Sequence, residues 1–111
     1  MTIYEQLLSY FKGAEGRLHT AQEMKSELEL RYGTNPTSVI PSDYCYNRWN
    51  YGVTTQKPIL IRVGLGEYRF IGPDQPYTGL IYGRPRGEVE DQVVGEWKNG
   101  QQKLYSNNSD A

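Results

Sequence analysis

The sequence predicts an α+β domain of the winged helix-turn-helix class, with three N-terminal helices, a β-hairpin wing and a small C-terminal antiparallel sheet. Three observations support this prediction: two capped segments with helical periodicity, a third candidate helix after a short turn, and a glycine-containing hairpin. The length of 111 residues is typical of one domain. We expect a single domain over residues 1–105 and a flexible polar tail at 106–111.

The first helix is predicted over residues 3–12. Its apolar residues recur at the spacing of one helical face, at Ile3, Leu7, Tyr10 and Phe11. Thr2 is available as the N-cap, because its hydroxyl can accept a hydrogen bond from an unpaired N–H group of the first turn. Gly13 follows the apolar run and ends the helix.

The second helix is predicted to begin after Thr20 and to end just before Gly33. Thr20 and Glu23 have the spacing of a capping box, in which each side chain accepts a hydrogen bond from the other residue's backbone N–H group. Met24 and Leu28 are one helical turn apart and form the inward face.

The third helix is predicted over residues 38–50, after a turn of the length that joins the two helices of a helix-turn-helix. Pro41 lies inside this segment, and a proline in a helix interior costs about 3 kcal/mol. In the first turn a proline costs little, because the N–H groups there lack intrahelical partners. We therefore place the start of this helix between Ser38 and Pro41.

The second half of the chain is predicted to be mainly β-structure. Runs at residues 59–63 and 67–71 flank Gly64 and Gly66, and glycine supplies the positive φ that a tight hairpin requires. We interpret residues 59–71 as the wing. Three further strand-like runs follow, at residues 79–83, 93–97 and 101–105. The last two join through Asn99-Gly100, a strong hairpin signal.

Composition limits the classes of function. The net charge of −1 argues against a general polyanion binder, but residues 31–72 carry +3 while the segments on either side carry −2 each. With no long apolar run and no secretory leader, we expect a cytoplasmic protein that does not bind membranes. The single cysteine, Cys45, fits a reducing compartment and is expected to be a buried, unreactive thiol.

These predictions lead to a functional hypothesis, a non-catalytic module that binds double-stranded DNA. The third helix would enter the major groove and the wing would contact the backbone. Asparagine can bind adenine and arginine can bind guanine, each worth about 1–3 kcal/mol of discrimination. The candidate contacts on the helix are Ser42, Asp43, Tyr46, Asn47, Arg48 and Asn50. The candidate phosphate contacts are Lys57, Arg62 and Arg69.

The aromatic residues of this region have two interpretations. They are Tyr44, Tyr46, Trp49 and Tyr51, and they either pack in the core or stack on an extruded base. In a helix, Tyr44 and Trp49 would point in nearly opposite directions. Periodicity therefore leaves open which face of the third helix is buried.

Two other classes of function remain open. The acidic flanks are compatible with a protein-interaction module that keeps the winged-helix shape. Pro73-Asp74 followed by Glu96 and Lys98 matches the short motif of metal-dependent nucleases, in which carboxylates hold Mg²⁺. The motif is short, and His19 has no partner at zinc-binding spacing, so we predict no catalytic residue, metal site or cofactor. The oligomeric state stays open.

Four blocks of the sequence, at residues 38–48, 67–73, 77–87 and 94–100, resemble an uncharacterised bacterial domain of the winged-helix type. That domain occurs alone or beside HNH and other restriction-type nuclease domains. The resemblance implies DNA binding in a restriction, defence or mobile-element setting, with catalysis carried out by another domain. Because this chain has no HNH segment, the resemblance implies only a targeting or regulatory role.

Overall fold

The computed structural model describes residues 1–51 and 56–105, and within these ranges it contains two α-helices and seven β-strands. The helices are α1 (Ile3–Phe11) and α2 (Ala21–Tyr32). The strands are β1 (Leu18–Thr20), β2 (Arg48–Trp49), β3 (Leu60–Gly64), β4 (Glu67–Phe70), β5 (Gly79–Gly83), β6 (Gln92–Lys98) and β7 (Gln101–Leu104). Neither helix has the length and apolar character that crossing a membrane requires.

Both helices begin and end where their local signals predict. A capping box joins Thr2 to Glu5 at α1, and the predicted one joins Thr20 to Glu23 at α2. The C-cap of α2 is Gly33, whose φ of 69° lies in the left-handed region that glycine tolerates. These two predictions are confirmed because they depend on residues within a few positions of one another.

The prediction of a third helix over residues 38–50 is wrong. Residues Pro36–Ser38 and Pro41–Tyr44 form two short 3₁₀ turns, and the chain is extended at Cys45. A proline disfavours helical backbone in the residue before it, and Ile40 before Pro41 accordingly has ψ of 91°. Lys25 of α2 donates to the carbonyl oxygens of Pro36 and Val39, at 3.1 and 2.6 Å, so these groups are paired without a helix.

The first sheet has the strand order β1-β4-β3, and all its pairs are antiparallel. The hairpin of β3 and β4 confirms the two strands expected within residues 59–71. Tyr68 and Phe70 point from β4 to the helices, where Phe70 stacks on Phe11 with ring centroids 4.6 Å apart. The main core lies between this sheet and α1 and α2.

The second sheet has the order β2-β5-β6-β7 and contains four of the seven strands. Strand β2 pairs with β5 in parallel, whereas the other two pairs are antiparallel. The hairpin at Asn99-Gly100 is confirmed, and both residues have positive φ. The expectation of a winged helix with only a small C-terminal sheet is therefore wrong, because the described chain is mostly β-structure in two sheets.

Residues 44–49 join the two sheets. Tyr46 N–H donates to the Leu60 carbonyl at 2.8 Å, so this segment runs beside β3. The Asn47 amide then pairs with both backbone groups of Arg62, donating to its carbonyl at 2.8 Å and accepting from its N–H at 2.9 Å. The Asn47 carbonyl accepts from Tyr82 N–H of β5 at 3.1 Å. Residues 44–49, part of the stretch that was expected to read DNA, therefore form the junction of the sheets.

This geometry predicts that Asn47→Ala lowers the free energy of unfolding by about 1–3 kcal/mol, because both partly buried backbone groups of Arg62 lose their partner. Urea denaturation measures the change. Gln101→Ala, at an exposed position of β7, is the control and should have little effect. An unchanged denaturation midpoint for Asn47→Ala would show that the side chain does not hold the junction.

Candidate binding cleft

The residues expected to contact bases pair within the protein instead. Tyr46 is 1% exposed and belongs to the core. Asn50 donates to Ser42 Oγ at 2.9 Å and to Asp43 Oδ1 at 2.5 Å. Arg48 donates to Asp91 Oδ2 at 2.8 Å. With Asn47 at the sheet junction, none of the six predicted base-reading side chains lies on an exposed helix.

The three candidate phosphate contacts do not share a surface. Arg69 points away from the core, because its neighbours Tyr68 and Phe70 on β4 are buried. Arg62 lies opposite Tyr68 in the sheet register, so its side chain is on the face of the first sheet opposite that of Arg69. The Arg62 Nε donates to the Gly64 carbonyl at 3.3 Å. Lys57 lies over the Tyr4 ring. These three cations therefore form no continuous basic face.

The residues of the nuclease-like motif are also separated. Asp74 and Trp97 line one cleft, whereas Glu96 and Lys98, the neighbours of Trp97 in β6, leave the opposite face of the sheet. In the parts of the chain that the structure describes, no group of three or more His, Cys, Asp or Glu side chains is placed to hold a metal ion. The geometry gives no support to metal-assisted hydrolysis by this motif.

Cys45 is fully buried, and burial raises the pKa of its thiol to about 12. The expectation that the thiol is buried is therefore confirmed, and a raised pKa disfavours the nucleophilic thiolate. His19 is also buried and contacts the Tyr10 hydroxyl through Nδ1 at 3.2 Å.

A cleft of about 410 Å³ lies where α1 and the loop around residue 74 meet the second sheet. Its volume is within the range of ligand pockets, roughly 300–1,000 Å³. Five ring-bearing side chains line it: Tyr4, Tyr46, Pro58, Pro73 and Trp97. The remaining lining residues are polar or small: Gln56, Lys57, Asp74, Gln75 and Gly100.

Hydrogen bonds fix the aromatic floor of this cleft. The Tyr46 hydroxyl donates to the Gly72 carbonyl at 2.7 Å and accepts from Gln75 N–H at 3.1 Å. The Trp97 indole N–H donates to the Tyr46 carbonyl at 2.8 Å, and the two rings meet edge to face with centroids 5.1 Å apart. Tyr46 and Trp97 are therefore held in one arrangement before any ligand arrives.

Two opposite charges border the rings. Lys57 Nζ lies 5.1 Å from the centroid of the Tyr4 ring, a cation–π contact. Asp74 has φ of 55°, a left-handed conformation that aspartate tolerates better than most residues. Burial, followed by the charge of Asp74, raises the pKa of Tyr4. Within residues 1–51 and 56–105, neither Lys57 nor Asp74 forms a salt bridge.

Sequence reasoning placed Tyr46 and Lys57 in a functional site but missed Tyr4 and Trp97. Tyr4 follows Ile3 in α1 and lies beside the predicted apolar face. Trp97 lies at the other end of the chain, in the predicted strand over residues 93–97. No local pattern links the two residues, because only the packing of α1 near the second sheet brings them to one cleft.

The fold and the cleft define a small domain with two helices and two sheets, and its aromatic cleft lies where α1 meets the second sheet. The chain belongs to the family described as "Domain of unknown function (DUF7225)", which matches residues 2–104. It is 43% identical over 104 residues to the uncharacterized protein YnaC of Bacillus subtilis (strain 168). The match covers 94% of this chain and 40% of that relative, so the chain spans about two fifths of its length. No solved structure matches the chain significantly.

Proposed function

We propose that this domain is a non-catalytic protein-interaction module that binds a segment of another protein in the aromatic cleft. The observation that carries the proposal is the convergence of Tyr4, Tyr46 and Trp97 with a cation and a carboxylate that have no salt-bridge partner in the described chain. Preformed concave sites lined by rings and a few polar groups are typical of binding sites.

The charge of the cleft favours a protein partner over a nucleic acid. Lys57 and Asp74 cancel each other, whereas a nucleic-acid site requires a surplus of positive charge. Overall, the chain has a net charge of −1. A mixed pair of charges suits a polypeptide segment, which carries both signs and also apolar side chains.

Nucleic-acid binding is a second candidate, and the aromatic cleft is the observation that favours it. An unpaired base can stack on tyrosine or tryptophan, and such stacking is worth about 1–3 kcal/mol per base. Lys57 beside Tyr4 would then contact a phosphate. For this second candidate function, the ligand is a single-stranded nucleic acid or an extruded base, since the described chain has no recognition helix for the major groove.

The setting of the domain belongs to the same proposal. The B. subtilis relative is longer than the matched region, which is compatible with a module that acts beside other protein segments. We propose a targeting role in the cytoplasm, in the restriction, defence or mobile-element setting that the sequence resemblance implies.

A peptide selection tests the proposed function. The wild-type chain is immobilised, peptides are selected from a random displayed library, and enriched peptides are synthesised and titrated in solution. We expect Tyr4→Ala to weaken binding by about tenfold or more, because truncating a central aromatic contact removes a large share of binding energy. Thermal melting of the variant checks that it is folded, since Tyr4 also stacks on Tyr44.

Tyr82→Ala is the matched control, because Tyr82 is 39% exposed and lies on the second sheet away from the cleft lining. It should leave peptide binding unchanged. Equal losses in the two variants, or a library that yields no binding peptide, would overturn the proposal. Binding of a single-stranded oligonucleotide that is lost in Tyr4→Ala alone would establish the second candidate instead.

A further inference from the structure

We infer that the occupant of the cleft is a proline-rich segment in the polyproline II conformation, with an acidic and a basic residue flanking the prolines. This inference rests on the proposed protein-interaction function and specifies the partner's chemistry. Three properties of the cleft support it: the rings on its walls, the pairing of its backbone groups, and its two charges.

Ring-bearing side chains line the walls of the cleft. Tyr4 and Trp97 are partly exposed, and Pro58 and Pro73 add two pyrrolidine rings. Aromatic-lined grooves of this kind accept proline rings, and a polyproline II segment loses little conformational entropy when it binds. A flexible segment without proline would have to be ordered at a larger entropic cost.

Three backbone carbonyl groups at the cleft are already paired. The Tyr46 carbonyl accepts from the Trp97 indole, the Gly72 carbonyl accepts from the Tyr46 hydroxyl, and the Tyr77 carbonyl accepts from Gly100 N–H. These three carbonyl oxygens are therefore already engaged and contribute less to pairing with an added β-strand. A polyproline II segment does not depend on such pairing, because its own backbone stays solvated.

The charges specify the flanking residues. Lys57 Nζ has no hydrogen-bond or salt-bridge partner in the described chain and is available to an acidic side chain. Asp74 is exposed and likewise forms no salt bridge there, so it is available to a basic side chain. Ion pairs at such exposed positions change affinity modestly, by about two- to fivefold each.

Calorimetric titration of defined peptides tests the inference. The probes are acetylated and amidated peptides with one proline-rich core, flanked by glutamate and arginine, by glutamine at both ends, or by lysine in place of glutamate. A fourth peptide keeps the charged flanks and replaces the prolines by alanine. We expect the charged proline peptide to bind best and the alanine peptide to bind about tenfold more weakly, because it loses the preformed conformation and the ring contacts.

Charge reversal assigns the acidic flank. Lys57→Glu should reverse the preference, so that the peptide with lysine in place of glutamate binds better than the original. Asp74→Asn, which keeps a residue that tolerates the left-handed conformation, should reduce the advantage of the peptide flanked by glutamate and arginine over the peptide flanked by glutamine. Lys98→Glu is the matched control, because it makes the same charge change on the opposite face of β6 and should leave the order of affinities unchanged.

The failure of this inference differs from the failure of the proposed function. If the alanine peptide binds as well as the proline peptide, or if Lys57→Glu and Lys98→Glu act alike, the ligand is not the segment described here. Cleft-dependent binding of proline-free peptides from the random library would then leave the general interaction function intact. If no peptide shows binding that depends on Tyr4, both this inference and the proposed interaction function are wrong.

Discussion

Replacing Tyr46 by alanine is expected to lower the free energy of unfolding by about 3–5 kcal/mol, the usual cost of truncating a large buried aromatic residue. Tyr46 is the largest of the fully buried side chains in the described chain. Its ring contacts Trp97 and Tyr77, with centroids 5.1 and 5.3 Å away, so both neighbours would border the vacated space. Equilibrium urea denaturation measures the loss.

Tyr46→Phe isolates the hydroxyl from the ring. The hydroxyl pairs with the Gly72 carbonyl and with Gln75 N–H, which shapes the loop that carries Asp74. Leaving these two groups without their partner should cost about 1–3 kcal/mol and should also weaken peptide binding in the cleft. Tyr82→Phe, at an exposed position, is the control. If Tyr46→Phe and Tyr82→Phe are equally stable, the hydroxyl does not organise the loop.

Tyr46 shows how a residue that stabilises the fold can be predicted from sequence to be a binding residue. On an exposed recognition helix, a tyrosine can be removed with little effect on unfolding and a large effect on DNA binding. In the structure the same residue lies at the junction of the sheets, where its removal acts on stability first. Polar and aromatic side chains that face each other across a junction resemble a binding surface when only their order in the chain is known.

The parts of the fold that sequence predicted are those with short-range causes. The capping box at Thr20, the glycine C-cap at Gly33 and the hairpin at Asn99-Gly100 each involve residues a few positions apart. The prediction of a third helix was wrong because Pro36 and Pro41 restrict the backbone of the residues before them. This local restriction outweighs the helical pattern of the residues that follow.

The second sheet required long-range information. The parallel pairing of β2 with β5 joins Arg48 to Tyr82 in register, and two residues of β2 give no recognisable strand pattern. The same reason explains the missed half of the cleft, since Tyr4 and Trp97 are brought together only by tertiary packing. Sequence indicated the residues of β5 and β6 but not the surface that they would form.

Gly95→Ala is expected to destabilise the chain by about 1–3 kcal/mol, the usual cost of overpacking a tight site. A Cβ atom at Gly95 would lie 2.6 Å from the Lys103 carbonyl oxygen and 3.1 Å from Leu104 Cα. Both are backbone atoms of β7, so a side-chain rotation cannot remove the clash. The strand itself would have to move away from β6, at the pair that joins Gly95 to Leu104.

Gly64→Ala makes the same substitution where the obstacle can move. A Cβ atom there would meet Glu67 Oε1 at 3.0 Å, and this atom ends a flexible side chain. Gly64→Ala should therefore shift the urea midpoint much less than Gly95→Ala. Equal shifts would show that β7 accommodates a methyl group at Gly95 without moving.

The effect of Gly95→Ala should extend to the cleft. Trp97 is two residues further along β6, and its indole N–H is the contact that holds the Tyr46 carbonyl. If β7 moves away from β6, the pairing of Trp97 with Gln102 is weakened, and the position of the indole ring is less well fixed. We therefore expect Gly95→Ala, but not Gly64→Ala, to weaken binding of the charged proline peptide under conditions in which both variants are folded. Unchanged affinity in Gly95→Ala would mean that the aromatic floor keeps its geometry independently of the last hairpin.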